Sequence, residues 1–151
     1  MLSRLSSLMA QSPTIKTYNE LITLESFDER LAYLQTYGHN PSNAERALMN
    51  KFYTSDIWRR VREDVITRDL ACDMALGDFI IDPDKDTILV HHIMPITLED
   101  VENFSPKLTD MNNLVTVSLS THNLIHFYKE STNQYVERKP GDTLLWYEDM
   151  R

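Results

Sequence analysis

The sequence predicts an α+β fold, with helices in the first half of the chain and a small β-containing core after them. Two patterns support this prediction. A Ser-x-x-Glu motif, typical of helix starts, occurs at Ser26 and again at Ser42. Apolar, β-branched runs bounded by turn residues occur at 79–81 and 87–90. With 151 residues, 42% of them hydrophobic, the chain is long enough for one domain with an ordinary core.

Three helices are predicted before residue 70. Residues 1–24 carry no firm signal, and we expect a flexible arm or a marginal helix there. A first helix follows Ser26 to about residue 37, where Gly38 is a natural stop. A second runs from Ser42 to about Tyr53. A third starts at Ser55 and has apolar residues at helical spacing. Residues 25–70 therefore form a helical extension.

The predicted core covers residues 71–130. Its two apolar runs are joined by the acidic stretch 82–86, and we expect a β-hairpin. This stretch lacks the glycine and the final glutamate of an EF-hand, so it is interpreted as a turn. Residues 94–112 are expected to form an irregular loop with a helical turn at 98–103. Residues 131–151 are expected to form an extended tail that Trp146 and Tyr147 anchor to the domain.

Four of the five histidines lie in two short stretches. His91 and His92 end the second apolar run, and adjacent residues of a strand reach one site only if the strand ends or bends there. His122 and His126 lie four apart in a predicted helix that Ser120 or Thr121 would cap, so both imidazoles can reach one metal ion. Isolated histidines are usually structural or exposed, but this combination favours a metal site.

The charge and the cysteine content limit the function. The net charge of −8 argues against strong DNA binding by the chain alone. A cluster of basic residues precedes the core, and its helical arginines are either a solvated face or phosphate contacts. The single cysteine, Cys72, excludes an intramolecular disulfide and suits a reducing compartment. No apolar run approaches the ~20 residues that a membrane span needs.

The pattern of His91-His92, Asn113 and His122-x-x-x-His126 resembles the HNH nuclease family, whose small core is also called the ββα-metal or His-Me finger. Flanking motifs are similar to a subgroup from tailed bacteriophages, and the resemblance covers roughly residues 24–147. These motifs are Phe52-Tyr53-x-Ser55-x-x-Trp58, Cys72-Asp73-Met74, His91-His92-Ile93-Met94-Pro95-Ile96-Thr97, Thr121-His122-Asn123 and Glu137-Arg138-Lys139-Pro140-Gly141-Asp142-Thr143.

The resemblance implies a role for each residue of the pattern. His91, His122 and His126 would bind one divalent metal ion, with phosphate contact as an alternative role for His126. His92 would be the general base, and Asn113 would orient it through hydrogen bonds. Many members of the family have Asp where this chain has His91. Three imidazoles favour Zn²⁺, Ni²⁺, Co²⁺ or Mn²⁺ over Mg²⁺.

The resemblance also implies a function. The chain would be a metal-dependent endonuclease that hydrolyses phosphodiester bonds of double-stranded DNA. It would nick one strand, or cut both strands as a dimer or by two sequential hits. It would act in the cytoplasm of an infected bacterial host, either assisting genome packaging with terminase or portal protein or serving the homing of its own gene. Arg59, Arg62 and Arg68 are candidate DNA contacts. Tyr53 and Trp58 are expected to be core anchors.

Two departures and two alternatives remain. Many HNH proteins have a Cys-x-x-Cys zinc knuckle where this chain has Cys72 and Ala75, so we expect no structural zinc and a buried Cys72. One alternative is a non-catalytic, metal-stabilised module that binds DNA or packaging proteins. Another is an RNA-directed or toxin-like nuclease with the same chemistry, which substrate preference and killing of the host would distinguish. Substitution of His92 separates the enzyme from the module.

Overall fold

The structure is a computed structural model that describes residues 15–35, 42–77 and 79–127. Within these ranges the chain combines short helices with two small antiparallel sheets, which confirms the predicted α+β class. None of the helices in these ranges is long and apolar enough to cross a bilayer. The elements in chain order are α1 (Tyr18–Leu21), α2 (Phe27–Leu34), α3 (Asn43–Tyr53), α4 (Asp56–Arg68), β1 (Cys72–Asp73), β2 (Phe79–Ile80), β3 (Ile88–His92), α5 (Leu98–Glu102), β4 (Leu114–Ser118) and α6 (Leu119–Phe127).

Side-chain caps determine where the first long helices begin. Ser26 and Ser42 each accept a hydrogen bond from the backbone N–H of the glutamate three residues on, whose carboxylate returns the bond. Both predicted capping boxes are therefore confirmed. Ser55 caps α4 in the predicted place. Helix α2 ends at Leu34, three residues before its expected end at residue 37.

Part of the expected N-terminal arm is packed onto the domain. It contains α1, whose Leu21 is completely buried. Tyr18 donates a hydrogen bond to Asp69, and the Arg68 guanidinium lies 3.5 Å from the centre of the Tyr18 ring. Other predictions fall outside the described residues, namely those for residues 1–14, Gly38 and the 131–151 tail with Trp146 and Tyr147.

The prediction of a hairpin between 79–81 and 87–90 was wrong. Strand β2 pairs antiparallel with β1, and β3 pairs antiparallel with β4. The acidic stretch closes on itself, because the Asp82 carbonyl accepts hydrogen bonds from the N–H groups of Lys85 and Asp86. It is a turn, as expected, but the strands on its two sides, β2 and β3, belong to different sheets and do not pair with each other.

The β3–β4 sheet is covered on both faces. On one face, Leu89 packs with a cluster from α1, α2 and α6. On the other face, Val90 packs with a cluster from α3 and α4. Successive residues of β3 therefore face different layers of the domain. The first cluster contains Leu21, Leu31, Leu34, Ala75, Ile93, Val115, Val117 and Ile125, and the second contains Phe52, Trp58, Val65, Leu108 and Leu114.

Helix α6 follows β4 with no residue between them. Ser118 ends the strand, and its hydroxyl accepts a hydrogen bond from the N–H of Thr121 at 3.1 Å. The prediction that Ser120 or Thr121 caps this helix was therefore wrong. Their hydroxyls donate to the carboxylates of Asp86 and Asp73 instead.

Candidate metal site

Three of the predicted ligands converge between β3 and α6. One potential ligand atom from each of His91, His122 and His126 lies within 4.8 Å of those of the other two. The ring centroid of His91 is 5.4 Å from that of His122 and 5.2 Å from that of His126. The Nε2 atoms of His122 and His126 are 3.2 Å apart. The sheet register and the direct β4–α6 junction therefore bring together residues from two distant parts of the chain.

His91 has an unusual environment for a polar side chain. Only 6% of the residue is exposed, and its Nε2 atom is buried without a hydrogen-bond partner. A buried polar atom without a partner is unfavourable and calls for an explanation. A metal ion bound to the Nε2 lone pair would give this atom the partner that the protein lacks.

The protonation state of the cluster suits metal binding. Burial holds the pKa of His91 well below its ordinary value of 6.5, and the neighbouring His126 and His122 lower it further. Burial also lowers the pKa values of His122 and His126, and His126 adds to the effect on His122. All three imidazoles are thus neutral at pH 7, which is the form that binds metals. Three nitrogen ligands fit a divalent ion of the zinc type with an open coordination position.

His92 has different neighbours from His91, and it is not a member of the histidine cluster. Strand β3 continues through both residues, with His91 opposite Val115 and His92 opposite Leu114. Strand β3 ends at His92, so the second histidine stands at the end of the strand, and it contributes to the lowered pKa of His91.

The surroundings of His92 determine which of its nitrogens carries the proton. Its Nε2 atom lies 3.0 Å from the carbonyl oxygen of Leu108, which can only accept, so we assign the hydrogen to Nε2. The Nδ1 atom keeps its lone pair and lies 3.5 Å from the hydroxyl of Tyr53. The ring stacks on Trp58, with centroids 5.3 Å apart and planes at 20°. Burial lowers the pKa of His92, although the Leu108 hydrogen bond opposes the shift.

Asn113 holds the chain immediately after His92. Its Oδ1 atom accepts from the N–H of Met94 at 2.8 Å, and its Nδ2 atom donates to the carbonyls of Met94 and Lys107. Its own carbonyl accepts from the N–H of Ile93 at 2.8 Å. These bonds fix the backbone that leaves β3, which is the location that an orienting role requires.

The three candidate DNA-binding arginines have different environments. Arg59 is exposed and pairs with Asp56 at 3.0 Å. Arg62 donates to the carbonyl of Ile88 at the start of β3. The guanidinium of Arg68 is used inside the protein, where it donates to the Asp69 carboxylate and to the carbonyls of Met111 and Leu114. Its contacts are those of a residue that joins α4 to the sheet.

Sequence reasoning missed Asp73, which is completely buried. Its carboxylate accepts from the N–H of Ala75, from the N–H and hydroxyl of Ser118, and from the hydroxyl of Thr121 at 2.5 Å. It thereby ties β1 to the first turn of α6, the helix that carries two of the histidines. An aspartate in a short strand carries no signal of this role in the sequence.

Two further side chains differ from expectation. Cys72 is only half-buried, and its thiol lies 3.7 Å from the carbonyl of Leu70. Trp58 is a core residue, as expected, but Tyr53 is 38% exposed and reaches His92.

A scan against models of known families, a search of curated proteins and a search of solved structures each returned no match.

Proposed function

We propose that this chain is a metal-dependent DNA endonuclease of the HNH type. The observation that carries the proposal is the cluster of His91, His122 and His126, in which a buried Nε2 atom lacks a partner. The adjacent residue of the strand, His92, is a neutral histidine whose Nδ1 lone pair can take a proton. A metal site beside a base of this kind suits the hydrolysis of a phosphodiester.

Each residue has a separate task in this proposal. The three clustered histidines would hold one divalent ion, which when bound would supply Lewis-acid stabilisation of the charge that develops on the phosphate. His92 would take a proton from the attacking water at Nδ1, because the Leu108 carbonyl keeps its other nitrogen protonated. Asn113 would keep the end of β3 in place while this happens.

The substrate and the setting follow from the resemblance and from the charge. Double-stranded DNA is the proposed substrate, and a single centre of this kind would nick one strand at a time. The net charge of −8 opposes DNA binding. We therefore propose that a partner of the packaging machinery, such as terminase or portal protein, brings the DNA to the site in the cytoplasm of the infected host.

One observation favours a second candidate, a non-catalytic module stabilised by the metal. His92 is 6% exposed and packs between aromatic side chains, an environment that a structural histidine would also have. In this alternative the ion would stabilise a surface that binds DNA or a packaging protein.

Nicking of supercoiled plasmid separates the two candidates. Wild type, His92→Gln and His91→Ala would be prepared free of metal and tested at low salt with Mg²⁺, Mn²⁺, Ni²⁺, Co²⁺ and Zn²⁺. His39→Ala, which removes the one histidine outside the two stretches, is the matched control. The nuclease proposal expects nicking that depends on the ion and falls about 10²- to 10⁴-fold in His92→Gln. No nicking by wild type with any ion, while calorimetry detects one bound metal, would favour the module.

A further inference from the structure

Tyr53 connects the helical extension to the histidine that the proposed function uses. It is the last residue of α3, and its side chain reaches across to β3. Its ring centroid lies 5.2 Å from that of Trp58 in an edge-on contact and 6.2 Å from that of His92. Its hydroxyl lies 3.5 Å from Nδ1 of His92.

We propose that Tyr53 is a positioning residue for His92, whose hydroxyl holds the imidazole with its Nδ1 lone pair toward the solvent side of the aromatic cluster. The inference rests on the proposed role of His92 as the base, since without it the contact has no catalytic consequence. It names a residue that neither the metal site nor the HNH resemblance assigns to the chemistry.

The contacts around His92 leave this task to Tyr53. The Leu108 carbonyl holds Nε2, and the face of Trp58 restricts the plane of the ring. Among the residues that the structure describes, Tyr53 is the hydrogen-bond partner of Nδ1. Burial raises the pKa of the Tyr53 hydroxyl to about 12, so this group stays protonated and acts as a donor at neutral pH.

The side chains around His92 differ in their exposure. Leu108 is completely buried and Trp58 is 6% exposed, whereas Tyr53 is 38% exposed. Tyr53 is therefore the neighbour of His92 that borders the surface. The 3.5 Å separation between the Tyr53 hydroxyl and Nδ1 is at the long end for a direct hydrogen bond. Such contacts often tighten when substrate binds.

The test combines a spectroscopic readout with kinetics on Tyr53→Phe, which removes only the hydroxyl. Tyr33→Phe is the matched control, because the Tyr33 hydroxyl donates to Glu20 at 2.6 Å on another part of the domain. Long-range ¹H–¹⁵N correlation spectra of the Zn²⁺-loaded proteins report the tautomer of His92 and the hydrogen bonding of Nδ1. Plasmid nicking with the best ion gives kcat and KM.

We expect the Nδ1 resonance of His92 to move in Tyr53→Phe and not in Tyr33→Phe. We also expect kcat to fall about 3- to 10-fold with KM and zinc affinity unchanged, the size that one neutral hydrogen bond allows. An unmoved Nδ1 resonance overturns the inference whatever the activity. A moved resonance with full kcat overturns it as well. If wild type fails to nick DNA with every ion tested, the nuclease proposal is refuted. If the Nδ1 resonance still moves in Tyr53→Phe, the contact between Tyr53 and the His92 ring stands.

Discussion

Replacement of Asp73 by Asn tests whether a buried carboxylate positions the helix of the histidine cluster. The carboxylate accepts four hydrogen bonds, one at Oδ1 from Ala75 and three at Oδ2 from Ser118 and Thr121. An asparagine can keep its oxygen toward the three donors of β4 and α6. Its NH₂ group then faces the N–H of Ala75, so two donors are opposed.

The expected loss of stability follows from these contacts. The opposed donors leave a buried polar group unsatisfied, which costs about 1–3 kcal/mol. The three remaining hydrogen bonds lose the contribution of the charge, about 0.5–1 kcal/mol each. Because a neutral amide is less costly to bury than a carboxylate, part of this loss is offset. We therefore expect Asp73→Asn to lower the free energy of unfolding by about 3 kcal/mol.

Urea denaturation followed by tryptophan fluorescence gives this free energy. Asp86→Asn is the matched control, because Asp86 accepts from Ser120 in the same first turn of α6 but lies at the surface. It should change stability little and leave zinc affinity unchanged. Asp73→Asn should weaken zinc binding, since the start of α6 loses its anchor. An Asp73→Asn protein that matches the control in both stability and zinc affinity would refute the argument.

Three further predictions concern the histidine cluster and Arg68. Zn²⁺ at a hundredfold excess over its dissociation constant should stabilise wild type by about 2.7 kcal/mol in thermal unfolding. His91→Ala should lose this stabilisation, and an equal stabilisation of the variant would contradict the proposed site. The metal-free protein should lose stability as the pH falls below about 6.5, because the three histidines have lowered pKa values in the folded state and take up protons on unfolding. Each histidine contributes up to about 1.4 kcal/mol per pH unit, and less where it is partly exposed. Unfolding curves between pH 7.5 and 5 measure how the free energy of unfolding changes with pH. The slope should be smaller in His91→Leu, and a wild-type stability that does not change with pH would contradict the prediction. Arg68→Ala should lower the free energy of unfolding by about 3 kcal/mol, because it leaves the buried Asp69 without its cation. In filter binding, the salt dependence of the DNA affinity should be the same in this variant as in wild type.

Local signals in the sequence predicted the helix starts and the histidine spacing. The capping boxes at Ser26 and Ser42 depend on residues three apart, so they form wherever the chain begins a helix. The spacing of His122 and His126 depends only on helical geometry. Their approach to His91 was expected from the pattern of histidines, and the ion itself stays a prediction.

Long-range pairing was the part that the sequence did not reveal. Two apolar runs joined by a five-residue acidic stretch favour a local hairpin, but β3 pairs with β4, a segment for which no strand was predicted. The role of Asp73 was also hidden, because its donors come from β4 and α6, far along the chain. In the sequence, Arg68 could not be distinguished from the other arginines of α4. Its internal role depends on the carbonyls of Met111 and Leu114, which are distant along the chain.

The contacts of Asn113 indicate where this domain can tolerate insertions. The asparagine joins the two ends of the 94–107 segment, through Met94 on one side and Lys107 on the other. Residues added near Phe104, which is 55% exposed, would lengthen a closed loop and leave the register of β3 and β4 unchanged. One residue added between Ser118 and Leu119 would instead rotate α6 by about 100° and turn both of its histidines away from His91. Variation in length during evolution should therefore accumulate in the loop and be excluded from the junction of strand and helix.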